Sequence, residues 1–91
     1  MDISREATAG TLESSDVMVS VSPSPDLQIT INSPVAALFG EAIEACIRDT
    51  LATMGVTGAY VFANDKGARD FVIRARVECA VRRAAGEETP L

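Results

Sequence analysis

Between residues 17 and 32 the chain twice alternates apolar and polar positions. Val17, Val19 and Val21 interleave with Met18, Ser20 and Ser22, and Leu27, Ile29 and Ile31 interleave with Gln28, Thr30 and Asn32. A period of two marks strands with one buried face, so the pattern predicts strands over 16–22 and 27–32. The prolines of Ser22-Pro23-Ser24-Pro25-Asp26 cannot donate to a ladder, and the two runs read as an antiparallel hairpin closed by that loop.

From Ser33 the period changes. Ser33 suits a helix N-cap and Pro34 a first helical turn, where a missing N–H costs nothing. Val35, Phe39, Ala42, Ile43, Cys46, Ile47, Thr50 and Met54 recur at three- and four-residue spacing, opposite Glu41, Glu44 and Arg48. This predicts a helix to about Met54, ended by Gly55. VTGAYVFA, residues 56–63, has the β-branched and aromatic content of a third strand, and Asn64-Asp65-Lys66-Gly67 turns the chain. A second helix is predicted over 68–85, with Ile73, Val77, Ala80, Val81 and Ala84 as its stripe, Phe71, Ala75 and Cys79 as a second apolar strip, and Gly86 as its stop. The expected fold is α+β in the order β-β-α-β-α: two helices packed on one face of a three-stranded sheet, the third strand beside the first, and a core shared by Phe39, Ile43, Ile47, Ile73 and Val77. Residues 1–15 have no sustained period and read as a mobile N-terminal arm, 16–86 as a single domain and 87–91 as a loose tail.

Composition narrows the function. At 91 residues, 47% hydrophobic and 23% charged, the chain is a folding sequence with room for one small core. Its net charge of -5 argues against nucleic acid, which needs clustered Lys and Arg. Residues 1–45 hold seven acids and one base, so that half can dock on basic partners. No apolar run approaches the ~20 residues of a membrane span, and the start has no apolar signal core, so no membrane association and a cytoplasmic location are expected. Cys46 and Cys79 fall in apolar helical patterns and read as reduced thiols.

There is no histidine, so neither a Ser-His-Asp nor a Cys-His arrangement is available and the commonest zinc ligand is missing. No catalytic residue and no metal site are expected. Glu13 and Asp16 are too exposed in a polar segment to act as an acid/base pair. Asp65-Lys66-Gly67 resembles a lipoyl-type lysine turn only loosely, because a helical pattern rather than a strand follows it. Arg69, Arg76 and Arg83, spaced by seven, line one side of the second helix as either a solvated face or an acceptor of anionic groups.

One motif is left. In Gly10-Thr11-Leu12-Glu13-Ser14-Ser15-Asp16-Val17 two serines sit between carboxylates at the edge of the first strand, an arrangement that core packing does not call for. The segment AGTLESSDVMV, with DLQITINSPV, the helix ending before Gly55, the DKGA turn and the helical VIRARVECAV, resembles the acyl carrier (gamma) subunits of citrate lyases over nearly the whole chain. The resemblance implies that Ser14 carries phosphoribosyl dephospho-coenzyme A through a phosphodiester, installed by a prosthetic-group transferase, with Ser15 as a small neighbour. It also implies two partners. An alpha (acyltransferase) subunit would exchange acetyl for citrate on the arm's thioester, and a beta (lyase) subunit would cleave the citryl thioester to oxaloacetate. The carrier subunit of malonate decarboxylase is the nearest alternative, with Thr11-Leu12-Glu13 favouring the citrate enzyme; an unmodified adaptor domain is the other. Ordinary acyl carrier proteins place an Asp-Ser-Leu serine at a helix start in a helical bundle, and neither feature is present.

Overall fold

The computed structural model describes residues 1–87. The chain folds in the order β1 (Ala7–Gly10), β2 (Val17–Ser22), β3 (Leu27–Asn32), α1 (Ala36–Thr53), β4 (Ala59–Asp65) and α2 (Asp70–Ala84). The sheet order is β1-β2-β4-β3, with β4 antiparallel to β2 and parallel to β3. Val17, Val19 and Val21 of β2 and Ala59, Val61 and Ala63 of β4 are fully buried, and they form one core with Ile43, Ile47 and Leu51 of α1 and Ile73, Val77, Ala80, Val81 and Ala84 of α2. This is the expected α+β arrangement, with both helices on the face that the alternation marked as apolar.

Three expectations need correction. The arm supplies a strand: Ala7–Gly10 pairs antiparallel with β2 and makes the sheet four-stranded. Its residues are too small to show a period, and only Ala9 is buried. The hairpin of the two alternating runs does not form, because β4 lies between β2 and β3 and takes the hydrogen bonds of both. Burial explains the insertion: the two strands that alternate with fully buried positions, β2 and β4, occupy the centre, whereas Leu27, Ile29 and Ile31 are only half-buried on the β3 edge. The proline loop therefore crosses the start of β4 instead of making a tight turn. A Cβ on Gly58 would lie 2.6 Å from the Ser24 carbonyl oxygen, and Ala59 N donates to Asp26 O at 3.1 Å, so only glycine permits that crossing. Finally, Phe39 is 53% exposed and lies outside the core, while Ile43, Ile47, Ile73 and Val77 are buried as expected. The expected position of the third strand, beside the first, is observed, although β4 begins at Ala59 rather than Val56. Of the expected tail, residues 88–91 lie outside the described residues.

Both helices follow strands of the parallel pair, so both begin at the carboxyl ends of β3 and β4. They run in the same direction. Cys46 Sγ lies 3.6 Å from the Asp70 carbonyl oxygen, and Arg74 Nη2 donates to Asp49 Oδ2 at 2.8 Å. Position 46 of α1 is thus level with the start of α2, and the earlier turns of α1 overhang it. Phe39 is exposed because α2 offers nothing to pack on at that height.

Candidate functional site

The β1–β2 connection carries the serines at the same end of the sheet. Gly10 ends β1 with φ 96, and a Cβ there would overlap the Val17 carbonyl oxygen, so this reversal requires glycine. Asp16 N donates to Glu13 O at 3.1 Å and closes a four-residue turn, Glu13 to Asp16. Ser14 and Ser15 are its two central residues and both are exposed. Ser15 has φ 67, a left-handed conformation that favours glycine. Neither serine hydroxyl makes a hydrogen bond to another described residue.

The turn is tied down on both sides. Ser15 N donates to Lys66 O at 2.8 Å and Lys66 N to Asp16 O at 2.9 Å, which extends the β2–β4 ladder into the loop. The Asp16 carboxylate accepts four hydrogen bonds: from Thr11 Oγ1 at 2.6 Å, Val17 N at 2.7 Å, Arg76 Nε at 3.0 Å and Arg76 Nη2 at 2.9 Å. The Arg76 fork, then the Thr11 hydroxyl, hold the Asp16 carboxyl well below the usual carboxylate range against the opposing effect of burial. The same carboxylate raises Arg76 further. Thr11 Oγ1 also accepts from Glu13 N at 3.2 Å. The two ends of the GTLESSD motif therefore brace each other, and the serines between them are left outside.

The arginine line does not act as one surface. Arg76 closes on Asp16, and Arg83 Nη1 donates to Thr8 O at 2.9 Å, so both hold the β1–β2 unit against α2. Arg69 occupies the N-cap position of α2, at the serine end of the molecule.

Asp65 is 1% exposed and does more than turn the chain. Its carboxylate accepts from Ser33 Oγ at 2.7 Å and from Ala68 N at 2.9 Å, while Ser33 Oγ accepts from Val35 N at 3.2 Å. One buried carboxylate thus joins the end of β4 to the entries of both helices, a cost that a donor on each of its oxygens offsets in part. The sequence signal for it is the aspartate three residues before a helical pattern. Ser33 consequently does not cap α1, whose N-cap is Val35 without a side-chain bond.

Above Asp65 lies a groove of about 530 Å³ between the overhanging turns of α1 and the 65–70 segment. Val35, Phe39, Ala42 and Ile43 form its apolar wall, and Gly67, Ala68, Arg69 and Asp70 face them. Leu12, Leu38, Phe39 and Phe71 are exposed large apolar side chains, and all four belong to the serine loop or to the first turns of the helices beside it.

Among the described residues no group of three or more His, Cys, Asp and Glu side chains could hold a metal ion, and no helix is long and apolar enough to cross a membrane. Cys46 and Cys79 are free thiols, half-buried rather than in the core, and burial pushes the Cys46 thiol up.

A family profile described as "ACP: Malonate decarboxylase delta subunit (MdcD)" matches residues 4–84. Curated relatives include the citrate lyase acyl carrier protein of Haemophilus influenzae strain PittGG, 55% identical over 87 residues that cover 96% of this chain and 92% of the relative. The protein of the same description from Escherichia fergusonii is 50% identical and covers 100% of this chain and 95% of the relative; that from Klebsiella pneumoniae is 52% identical over 93% and 90%. A crystal structure of a protein from Thermus thermophilus superimposes on 92% of this chain with a TM-score of 0.56 at 14% identity. The match spans only 16% of that longer chain, and it shows the fold alone.

Proposed function

The chain belongs to the family of citrate lyase acyl carrier proteins, and from that premise we propose that it is the acyl carrier subunit of a citrate lyase, with Ser14 as the point at which its prosthetic group is joined. The observation that supports this most is the build of the Ser14 turn. A loop tied on both sides exposes the hydroxyls of Ser14 and Ser15, so a transferase can reach Ser14 without unfolding anything, and the motif resemblance favours it over Ser15. Phosphoribosyl dephospho-coenzyme A, joined through a phosphodiester, fits these residues. The carboxylate nearest in sequence on the β2 side, Asp16, is already neutralised by Arg76, so the added phosphate meets no bare anion there. Glu13 is exposed, where solvent screens it.

When attached, such a group supplies a terminal thiol able to hold an acyl unit as a thioester. The chain's own residues contribute the anchor, its orientation and proximity, since a tethered intermediate returns to the next active site instead of diffusing away. In this reading the partners are the alpha (acyltransferase) and beta (lyase) subunits and the prosthetic-group transferase, in the cytoplasm. The malonate decarboxylase description of the family profile keeps a second reading in view, in which the same serine serves a decarboxylase.

Reconstitution tests the proposal. Complex assembled with the Ser14→Ala protein should cleave no citrate while still containing all subunits. Normal turnover with that variant would overturn the assignment of Ser14, and turnover of malonate but not citrate by the parent complex would move the chain to the second reading.

A further inference from the structure

The carrier reading leaves the groove beside the serine loop without a use. We propose that it holds the distal part of the chain's own prosthetic arm between turnovers, an inference that rests on Ser14 being the attachment point. Three observations carry it.

The first is continuity. The Ser14 turn is hydrogen-bonded through Ser15 and Asp16 to Lys66, and the residues on either side of Lys66, Asp65 and Gly67, line the groove. An arm leaving Ser14 therefore starts beside the segment that forms one wall of the groove. The second is shape and polarity. About 530 Å³ is within the usual range for a small-molecule pocket, and the wall of Val35, Phe39, Ala42 and Ile43 suits an aliphatic amide arm with a thiol end. The third is charge. Arg48, Arg74, Arg76 and Arg82 are in ion pairs, and Arg5 and Arg83 bond to backbone carbonyls. Lys66 and Arg69 are the two cationic side chains among the described residues with no such partner; Arg69 lines the groove, and Lys66 is hydrogen-bonded through its backbone to the Ser14 turn. They match the phosphates of the arm. The lining carboxylates do not oppose this: Asp65 is closed by Ser33 and Ala68, and Asp70 sits in the first turn of α2, where the helix end favours an anion.

A short tether supplies an effective concentration on the order of 1 mM, so a groove binding the arm with a Kd of roughly 0.1 mM would be about nine-tenths filled. The arm's thiol would then be shielded from reagents about tenfold. The experiment uses protein purified from a host that makes the whole complex, with loading checked by intact mass. Alkylation by iodoacetamide is read on the peptide spanning Ser14, so that Cys46 and Cys79 do not contribute, and is compared with free coenzyme A. The expected result is a rate lowered about tenfold, returned to within about twofold of coenzyme A by Phe39→Glu and by Arg69→Glu. NMR spectra of loaded and bare protein should differ at Val35, Phe39, Ala42 and Ile43. A loaded protein that alkylates at the free rate, with shifts confined to residues 11–16, overturns the groove proposal and leaves the carrier reading intact. Groove shifts that arise only when partner subunits are added overturn it too, by making the groove a docking surface. An unmodified mass at Ser14 overturns the carrier reading itself and the groove proposal with it.

Discussion

Breaking the Asp16–Arg76 pair tests whether the serine turn is braced by the fold or simply hangs from it. Four donors converge on the Asp16 carboxylate, two of them from an arginine 60 residues away on α2. The Asp16 side chain is 14% exposed and that of Arg76 40%, so the pair stands between an exposed ion pair, worth at most about 1 kcal/mol, and a buried one, whose disruption costs about 3 to 5 kcal/mol. Discounted for the exposure of Arg76, its two-bond geometry should give a coupling of about 1 to 2 kcal/mol. Asp16→Asn keeps the shape and loses the charge, and Arg76→Met keeps most of the stem that lies beside Gly10; urea denaturation of the two single variants and the double variant at pH 7 closes the cycle. Acid provides a second reading. Asp16 in the folded protein takes its proton only well below the usual carboxylate range, whereas in the unfolded chain it titrates near the ordinary value of about 3.9. The stabilisation is therefore complete above about pH 5 and is lost as the pH falls through the unfolded value toward the folded one, and Arg76→Met should flatten that part of the acid limb. A coupling under about 0.3 kcal/mol, or an acid limb unchanged in Arg76→Met, would refute the brace.

Two further substitutions probe the turn and the core. Ser15, at φ 67, should accept glycine with stability unchanged or raised by up to about 1 kcal/mol, whereas the β-branched Ser15→Val should lose at least about 1 kcal/mol by the same denaturation assay; equal effects would mean that the left-handed conformation is not populated. Ile47→Ala should cost on the order of 2 to 5 kcal/mol, a large share of the roughly 5 to 10 kcal/mol available to a domain of this size, while Phe39→Ala should cost under about 1 kcal/mol because Phe39 is half in solvent; a reversal of that order would place the overhang of α1 wrongly.

What the sequence reveals follows from what each feature depends on. Periodicity is local, so β2, β3 and both helices are legible to within a few residues, and the main stripe of α2 is read correctly, whereas Phe71 and Ala75 of its second apolar strip are exposed. Strand order depends on which strands can be buried on both sides, and the clean alternation of β3 hides that its apolar residues are only half covered at an edge. The β1 strand is invisible because Ala7-Thr8-Ala9-Gly10 has no bulk to alternate; α2 makes room for Ala9 only after the chain has folded. At the site, the exposed serine is legible from its polar neighbours, but its brace is not. Nothing near Asp16 points to Arg76, and the seven-residue arginine spacing that singles out Arg76 suggests a surface for anions in solution rather than an internal partner. The burial of Asp65 is hidden for a related reason, since Asn64-Asp65-Lys66-Gly67 is ordinary turn chemistry whether or not two helix entries close over it.

On the proposed function, Ser14 bears a covalently bound, coenzyme-A-like group. Intact mass of the protein purified from a host making the complete complex, followed by fragmentation of the peptide spanning residues 11–16, measures it directly. The account predicts a chain heavier than its sequence by the mass of phosphoribosyl dephospho-coenzyme A, with fragment ions that place the addition on Ser14 and leave Ser15 bare. A bare-chain mass, or an addition mapped to Ser15, would contradict it.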